Sequence, residues 1–332
     1  MTDTLSPGLW TLAWRRLRTD RVAMASLGVV LAFLALLALA GMGLVAADWE
    51  REVGVNYAPP SFIGAAGADA AVQATQAPLP PNPFDPLAAD IAALGQAGAV
   101  VPPAAKRATL PFGADKWGHD IVRKTIKGGQ TSIVVGLGAA LLAVVLGTLF
   151  GALAGFYGGV VDDVFNWFYS IFTSIPSILM ILTVAAVLQQ KGVATIVLIL
   201  GLTGWTGPFR LIRAEYIKHK GREYVLAAHA IGASNWRKMF AHIFPNVSHV
   251  ALVQLSILVV GFIKAEVILS FLGFGVPVGT VSWGSMLNEA QNELILGKWW
   301  QLAAAASAMA LLVTAFSLLT DALRDALDPK LT

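Results

Sequence analysis

The chain has 332 residues, of which 56% are hydrophobic and only 13% charged. A soluble domain carries about 25% charged residues, and a soluble fold of this length needs a polar exterior that such a composition does not supply. The net charge of +3 is too small to argue for nucleic acid, and the lack of cysteine excludes a disulfide framework, thiolate catalysis and thiolate-bound metal.

A helix needs about 20 apolar residues to cross the hydrocarbon core of a bilayer. Val22–Ala47 contains no charged residue. It exceeds the roughly 7–15 apolar residues of a signal peptide, so it reads as a first span. Thr131–Val161, Val164–Gln190, Gly192–Phe209 and Trp299–Thr320 are also free of charge, and Val250–Gly273 holds only Lys264 and Glu266. The expectation is an all-α polytopic membrane protein with six transmembrane helices.

Orientation is read from basic residues in short flanks. Arg15, Arg16, Arg18 and Arg21 precede span 1. The loop after span 4 carries Arg210, Arg213, Lys218, Lys220, Arg222, Arg237 and Lys238. Six spans put both segments and the C-terminal tail on one side, the cytoplasm. Arg123, Lys124 and Lys127 before span 2 run against the rule, but they follow a long loop, where it is weak. The expected divisions are 1–47 (cytoplasmic N-terminus and first span), 48–127 (external loop), 128–320 (transmembrane core) and 321–332 (cytoplasmic tail).

Residues 48–110 are rich in Ala, Pro and Gly, including Pro59–Pro60, Pro80–Pro81 and Pro102–Pro103. Proline removes backbone donors, so this stretch reads as irregular, with short helical pieces near Pro86–Leu94. It is either an insert without a role of its own or a contact for an external partner. In span 2, Gly147, Gly151 and Gly155 share one helix face, which suits close packing within the subunit or a dimer interface. Pro176 in span 3 and Gly204, Gly207 and Pro208 in span 4 predict kinks or early helix ends.

Residues 214–247 are too patterned for a linker. Tyr224, Ala228 and Ile231 share a face at helical spacing. Gly232 supplies a left-handed helix stop. Ser234 caps a second helix through Asn235–His242, and Pro245 is expected to end it before span 5. The product is a short helix, a glycine elbow and a second short helix outside the membrane. Periodicity alone fits equally a knob that docks in a groove of a soluble partner and an amphipathic helix resting on lipid headgroups.

Five histidines raise the question of metal. His219, His229, His242 and His249 lie on this loop and its exit, without the spacing and carboxylate support of a metal site. Asp321, Arg324, Asp325 and Asp328 read as a solvated amphipathic tail. There is no Gly-x-x-x-x-Gly-Lys-[Ser/Thr] phosphate loop, and no constellation for hydrolysis. Lys264 and Glu266 sit past the middle of span 5. A charge there faces a cavity or a partner, and two residues apart on a helix each needs its own neighbour. Lining of a path, pairing with another helix, and snorkelling of Lys264 all remain open.

Glu223-Tyr-Val-Leu-Ala-Ala-His-Ala-Ile-Gly232-Ala-Ser, followed by His242-Ile-Phe-Pro245-Asn246, resembles the "EAA" loop of ABC importer permeases. It is most similar to the second permease of the dipeptide/oligopeptide/nickel group. Phe112-Gly-Ala-Asp-Lys-Trp-Gly-His-Asp120, Ala154-Gly-Phe-Tyr-Gly-Gly-Val-Val-Asp162, Ser270-Phe-Leu-Gly-Phe-Gly275, Ser282-Trp-Gly-Ser-Met-Leu287 and Asp321-Ala-Leu-Arg-Asp-Ala-Leu-Asp-Pro329 resemble other stretches of that group. The likeness covers about 110–332 closely and about 10–45 loosely, and leaves 48–110 unmatched.

The resemblance implies a type I ABC importer permease fold in the bacterial inner membrane. It implies a coupling helix that docks on a cytoplasmic ATPase through Glu223, Tyr224, Leu226, Ala227, Ala228, Gly232, Ala233 and Ser234. It also implies the partners: a second related permease, two ATPases that bind ATP and Mg, and an external substrate-binding protein. This chain itself is then neither an enzyme nor a cofactor binder. The path for short peptides, or for nickel or an oligosaccharide, would include Lys264 and Glu266. Two positions depart from the pattern. Leu226 stands where the motif has Glu, and His119 stands where the group has Arg. An ion-coupled secondary transporter would instead show inverted repeats and further intramembrane charges, and neither is visible.

Overall fold

The computed structural model describes residues 9–64, 106–277 and 279–327, with side chains described from residue 14. The expected helical pieces near Pro86–Leu94, the prolines between 78 and 103, and Asp328 lie outside the described residues. Among the described residues the chain is helical and has no strand, only isolated bridges. It divides into two compact units: Met1–Ala47, Thr125–Glu289 and Ala305–Thr332 form one, Asp48–Lys124 and Ala290–Ala304 the other.

The helices are α1 (Leu9–Thr19), α2 (Arg21–Gly41), α3 (Ile121–Tyr157), α4 (Gly159–Ser174), α5 (Ser177–Leu188), α6 (Val193–Thr203), α7 (Thr206–Lys220), α8 (Glu223–Ala230), α9 (Asn235–Phe271), α10 (Trp283–Ile295) and α11 (Trp300–Leu327). Four of them, α2, α3, α9 and α11, are long and apolar enough to cross a membrane. The pairs α4–α5 and α6–α7 are bent by 89° and 41°. Counting each bent pair as one span gives the six expected. The bends fall at Pro176 and Gly204, where a missing donor or a missing side chain weakens the helix.

The glycine face of α3 is used inside the chain. A Cβ at Gly147, Gly151 or Gly155 would meet the backbone and side chains of Trp205, Phe209, Arg213 and Tyr216 at 2.6–3.0 Å. Only hydrogen leaves room for the two helices to approach so closely. Arg213 on α7 adds a two-pronged ion pair to Asp162 on α4, at 2.5 and 2.6 Å.

One sequence expectation is corrected here. Pro245 does not end a helix. Asn235–Phe271 is continuous, with a π turn over Lys238–Ile243. Proline stops an α-helix because its ring meets the carbonyl four residues back. The wider π turn lies at that place and accommodates the ring.

In the second unit, the bridges Glu52↔His119, Gly54↔Arg107 and Pro60↔Leu110 tie residues 52–60 to 107–119, and Ala114↔Asp120 closes the second segment on itself. Val55, Ala58, Leu110 and Ala114 form its small apolar core. Gly118 has φ +87°, and a Cβ there would lie 2.2 Å from the Gly54 carbonyl oxygen, so no other residue fits.

Candidate functional site

The knob is built from one helix stop and one helix start. Gly232 has φ +80°. Its N–H donates to His229 O, and Ala233 N–H donates to Ala228 O, each at 3.0 Å. These two bonds close the last turn of α8 in the double pattern that a left-handed glycine permits. Ser234 then accepts from Arg237 N–H at 3.3 Å and caps the start of α9.

One face of α8 is anchored. Val225 and Ala228 are buried, and Val225 joins a core of Phe156 from α3, Ile212 and Tyr216 from α7, and Met239, Ile243 and Val247 from α9. Tyr216 Oη donates to Met239 O at 3.1 Å. Of the Tyr224–Ala228–Ile231 face expected from spacing, only Ala228 is buried. Ile231 lies past the end of α8 and is 84% exposed. The anchoring pair is one residue out of that register, Val225 with Ala228.

Polar contacts lock the same face. Lys238 is buried, and its Nζ donates to His229 Nδ1 at 3.1 Å while standing 5.7 Å from the Phe156 ring. His219 Nδ1 pairs with Tyr224 Oη at 2.8 Å. Two of the loop histidines thus have hydrogen-bond partners within the loop. Among the described residues no three His, Asp or Glu side chains gather as a metal-ligand group.

The opposite face is open and carries large apolar side chains among polar ones. Leu226 is 56% exposed and Trp236 61%. Glu223, Ala227, Gly232 and Ser234 are exposed, and Ala233 is half-buried. A folded segment held rigidly on one side and apolar on the other is suited to a partner's groove.

Lys264 and Glu266 separate, as their 200° offset requires. Glu266 is fully buried, and both its oxygens are engaged within the subunit. Ser132 Oγ of α3 donates to Oε2 at 2.6 Å, and Ser270 Oγ of α9 donates to Oε1 at 2.7 Å. Each serine in turn accepts a backbone N–H, from Trp283 and Val276 respectively. The carboxyl thus joins α3, α9 and the start of α10, an internal pairing rather than an exposed surface. Lys264 lies on the exposed face of α9.

Sequence reading missed Asp115. It is buried and accepts from Trp117 N, His119 N and His119 Nδ1 at 2.9 Å, and from Lys124 Nζ at 2.7 Å. Burial alone would raise its pKa, but the His119 hydrogen bond and the Lys124 charge outweigh this and hold the carboxyl well below the usual range. Lys124 also reaches Gln301 Oε1 at 3.3 Å, and Arg123 pairs with Asp48. Two of the three basic residues that ran against the charge rule are therefore engaged by carboxylates. The signal in the sequence was Asp115 and Asp120 standing close before Arg123 and Lys124, but nothing local showed that Asp115 is buried.

The described helices include four long apolar spans, six if each bent pair counts as one, and one short segment anchored on one face and open on the other. Residues 147–332 match the family described as binding-protein-dependent transport system inner membrane component, and residues 8–60 match the N-terminal TM domain of oligopeptide transport permease C. The chain belongs to this family of inner-membrane, multi-pass permeases, with the type I ABC importer fold. It is 32% identical over 319 residues to the dipeptide transport system permease protein DppC of Bacillus subtilis, covering 96% of this chain and 85% of that one. It is 37% identical over 220 residues to the oligopeptide transport system permease protein OppC of the same organism, covering 66% and 72%. With the corresponding OppC of Haemophilus influenzae the identity is 33% over 219 residues, covering 66% and 70%. The match over 8–60 corrects the expectation that residues 48–110 resemble nothing, since it takes in residues 48–60.

Proposed function

We propose that this chain is a path-forming permease subunit of an ATP-driven importer of short peptides. It works beside a second related permease, two cytoplasmic ATPases that bind ATP and Mg, and an external substrate-binding protein. Both termini and the 214–247 loop face the cytoplasm, and the unit around Asp115 faces outside. The peptide substrate is supported by relatives whose names specify dipeptide and oligopeptide transport.

The observation that carries the reading is the anchored knob. Its open apolar face supplies a docking surface, and its buried face is bolted to α3, α7 and α9. Closure of the ATPases would displace α8. Val225, Ala228 and the Lys238–His229 bond pass that displacement to α9, which continues into the membrane without a break. Alternating access then follows as a rigid-body rearrangement of packed spans. Leu226, in place of the motif's acid, suits an apolar groove.

Gly232→Val tests this. The position has open space around it but a backbone angle that a β-branched residue resists. The expected outcome is uptake reduced at least tenfold, ATP hydrolysis no longer stimulated by the binding protein, and normal membrane insertion by immunoblot. Unchanged uptake would overturn the docking role.

A further inference from the structure

Lys264 poses a problem that the family reading leaves unsolved. It lies on the exposed face of α9, between Ile257 and Ile268, which are also exposed. No ion pair among the described residues includes it. Its neighbour in sequence, Glu266, is taken by Ser132 and Ser270. The five other apolar runs contain no charge at all, and no carboxylate among the described residues pairs with Lys264.

An unpaired ammonium facing hydrocarbon is costly, so such a residue faces water, a partner or a substrate. Helix geometry disfavours snorkelling toward the nearer helix end. The nearer end of the helix is its C-terminal end at Phe271, about 10 Å along the axis. Side chains on a helix lean toward its N-terminus, away from that end. Gly261, one turn before Lys264, leaves open space where a Cβ would stand, giving room beside the ammonium on the same face.

We infer that Lys264 lines the translocation path and receives the free C-terminal carboxylate of the peptide in transit. The inference rests on the peptide-importer reading and adds a chemical preference to it. Lys264 supplies a mobile point charge with three donors, which suits a passing carboxylate better than a fixed bidentate clamp. Glu266, engaged within the subunit, takes no part in recognition.

The test uses the whole importer in cells lacking other peptide uptake, with trialanine and trialanine amide as probes. Discrimination by the binding protein is common to all variants, so the ratio of the two uptake rates is the readout. Lys264→Met and Lys264→Gln are each expected to lower the acid-to-amide ratio about tenfold, the value of one charge-assisted hydrogen bond. Lys264→Arg is expected to keep it. A ratio unchanged in both neutral variants overturns the inference and leaves the importer reading standing. Loss of both probes together with loss of the second permease on co-purification also overturns it, by assigning Lys264 to a contact between subunits. Transport of neither probe by the unaltered importer, with ATPases and binding protein present, overturns the peptide reading and this inference with it.

Discussion

The knob at 221–243 and the unit around Asp115 are both built from short segments, yet they are held together by opposite means. The knob is fastened by apolar burial: Val225 sits among Phe156, Tyr216 and Met239, Ala228 is buried beside it on the same helix, and its outer face keeps exposed apolar side chains. The second unit has only Val55, Ala58, Leu110 and Ala114 as its local core, and its centre is a buried carboxylate with four donors. Apolar anchoring leaves a segment firm where it is fixed and adhesive where it is not. A charged hub fixes loop geometry without offering an adhesive surface.

The largest effect that would break this comparison is expected from Asp115→Asn. It removes the anion that accepts from the buried Lys124 Nζ, and loss of one partner of a buried pair costs on the order of 3 kcal/mol. The measurement is the unfolding midpoint of the purified complex in detergent, with proteolysis of the 106–124 segment as a local readout. The same carboxyl sets an acid limit. Its folded pKa is depressed, so its contribution is complete above the unfolded value of about 3.9 and is lost as pH falls below it. Stability of this unit should therefore hold from neutrality to about pH 4 and decline under stronger acid, and Asp115→Asn should flatten that decline.

Val225→Ala comes next, at about 2 kcal/mol for a truncated buried side chain. It should loosen the knob and lower uptake while ATPase subunits still co-purify. Leu226→Ala sharpens the contrast. The side chain is exposed, so stability should move by no more than about 0.5 kcal/mol, whereas ATPase co-purification should weaken. An equal loss of stability in the two variants would erase the distinction between anchored and open faces. The smallest effect is expected from Asp48→Asn. Its pair with Arg123 is open to solvent, and the unfolding midpoint should stay within measurement scatter.

The sequence was most informative where the physics is local. A left-handed stop at Gly232, a cap at Ser234 and bends at Pro176 and Gly204 depend on a few adjacent residues, and the structure shows all of them. Charge-free runs gave the spans because lipid imposes a one-dimensional rule. Partners distant in sequence were not legible. One serine that holds Glu266 is 134 residues away; Lys124 is only nine residues from Asp115, but it read as part of a basic flank. Pro245 failed for a different reason: the local rule was sound, but a π turn supplied a remedy that the rule does not anticipate.

That remedy has a mechanical result. Because Asn235–Phe271 is unbroken, it forms a rod about 55 Å long with its foot in the knob. A hinge at the proline would have let the foot swing while the far end stayed still. Without such a break, a displacement of the foot would be carried along the same helix toward the stretch that bears Lys264.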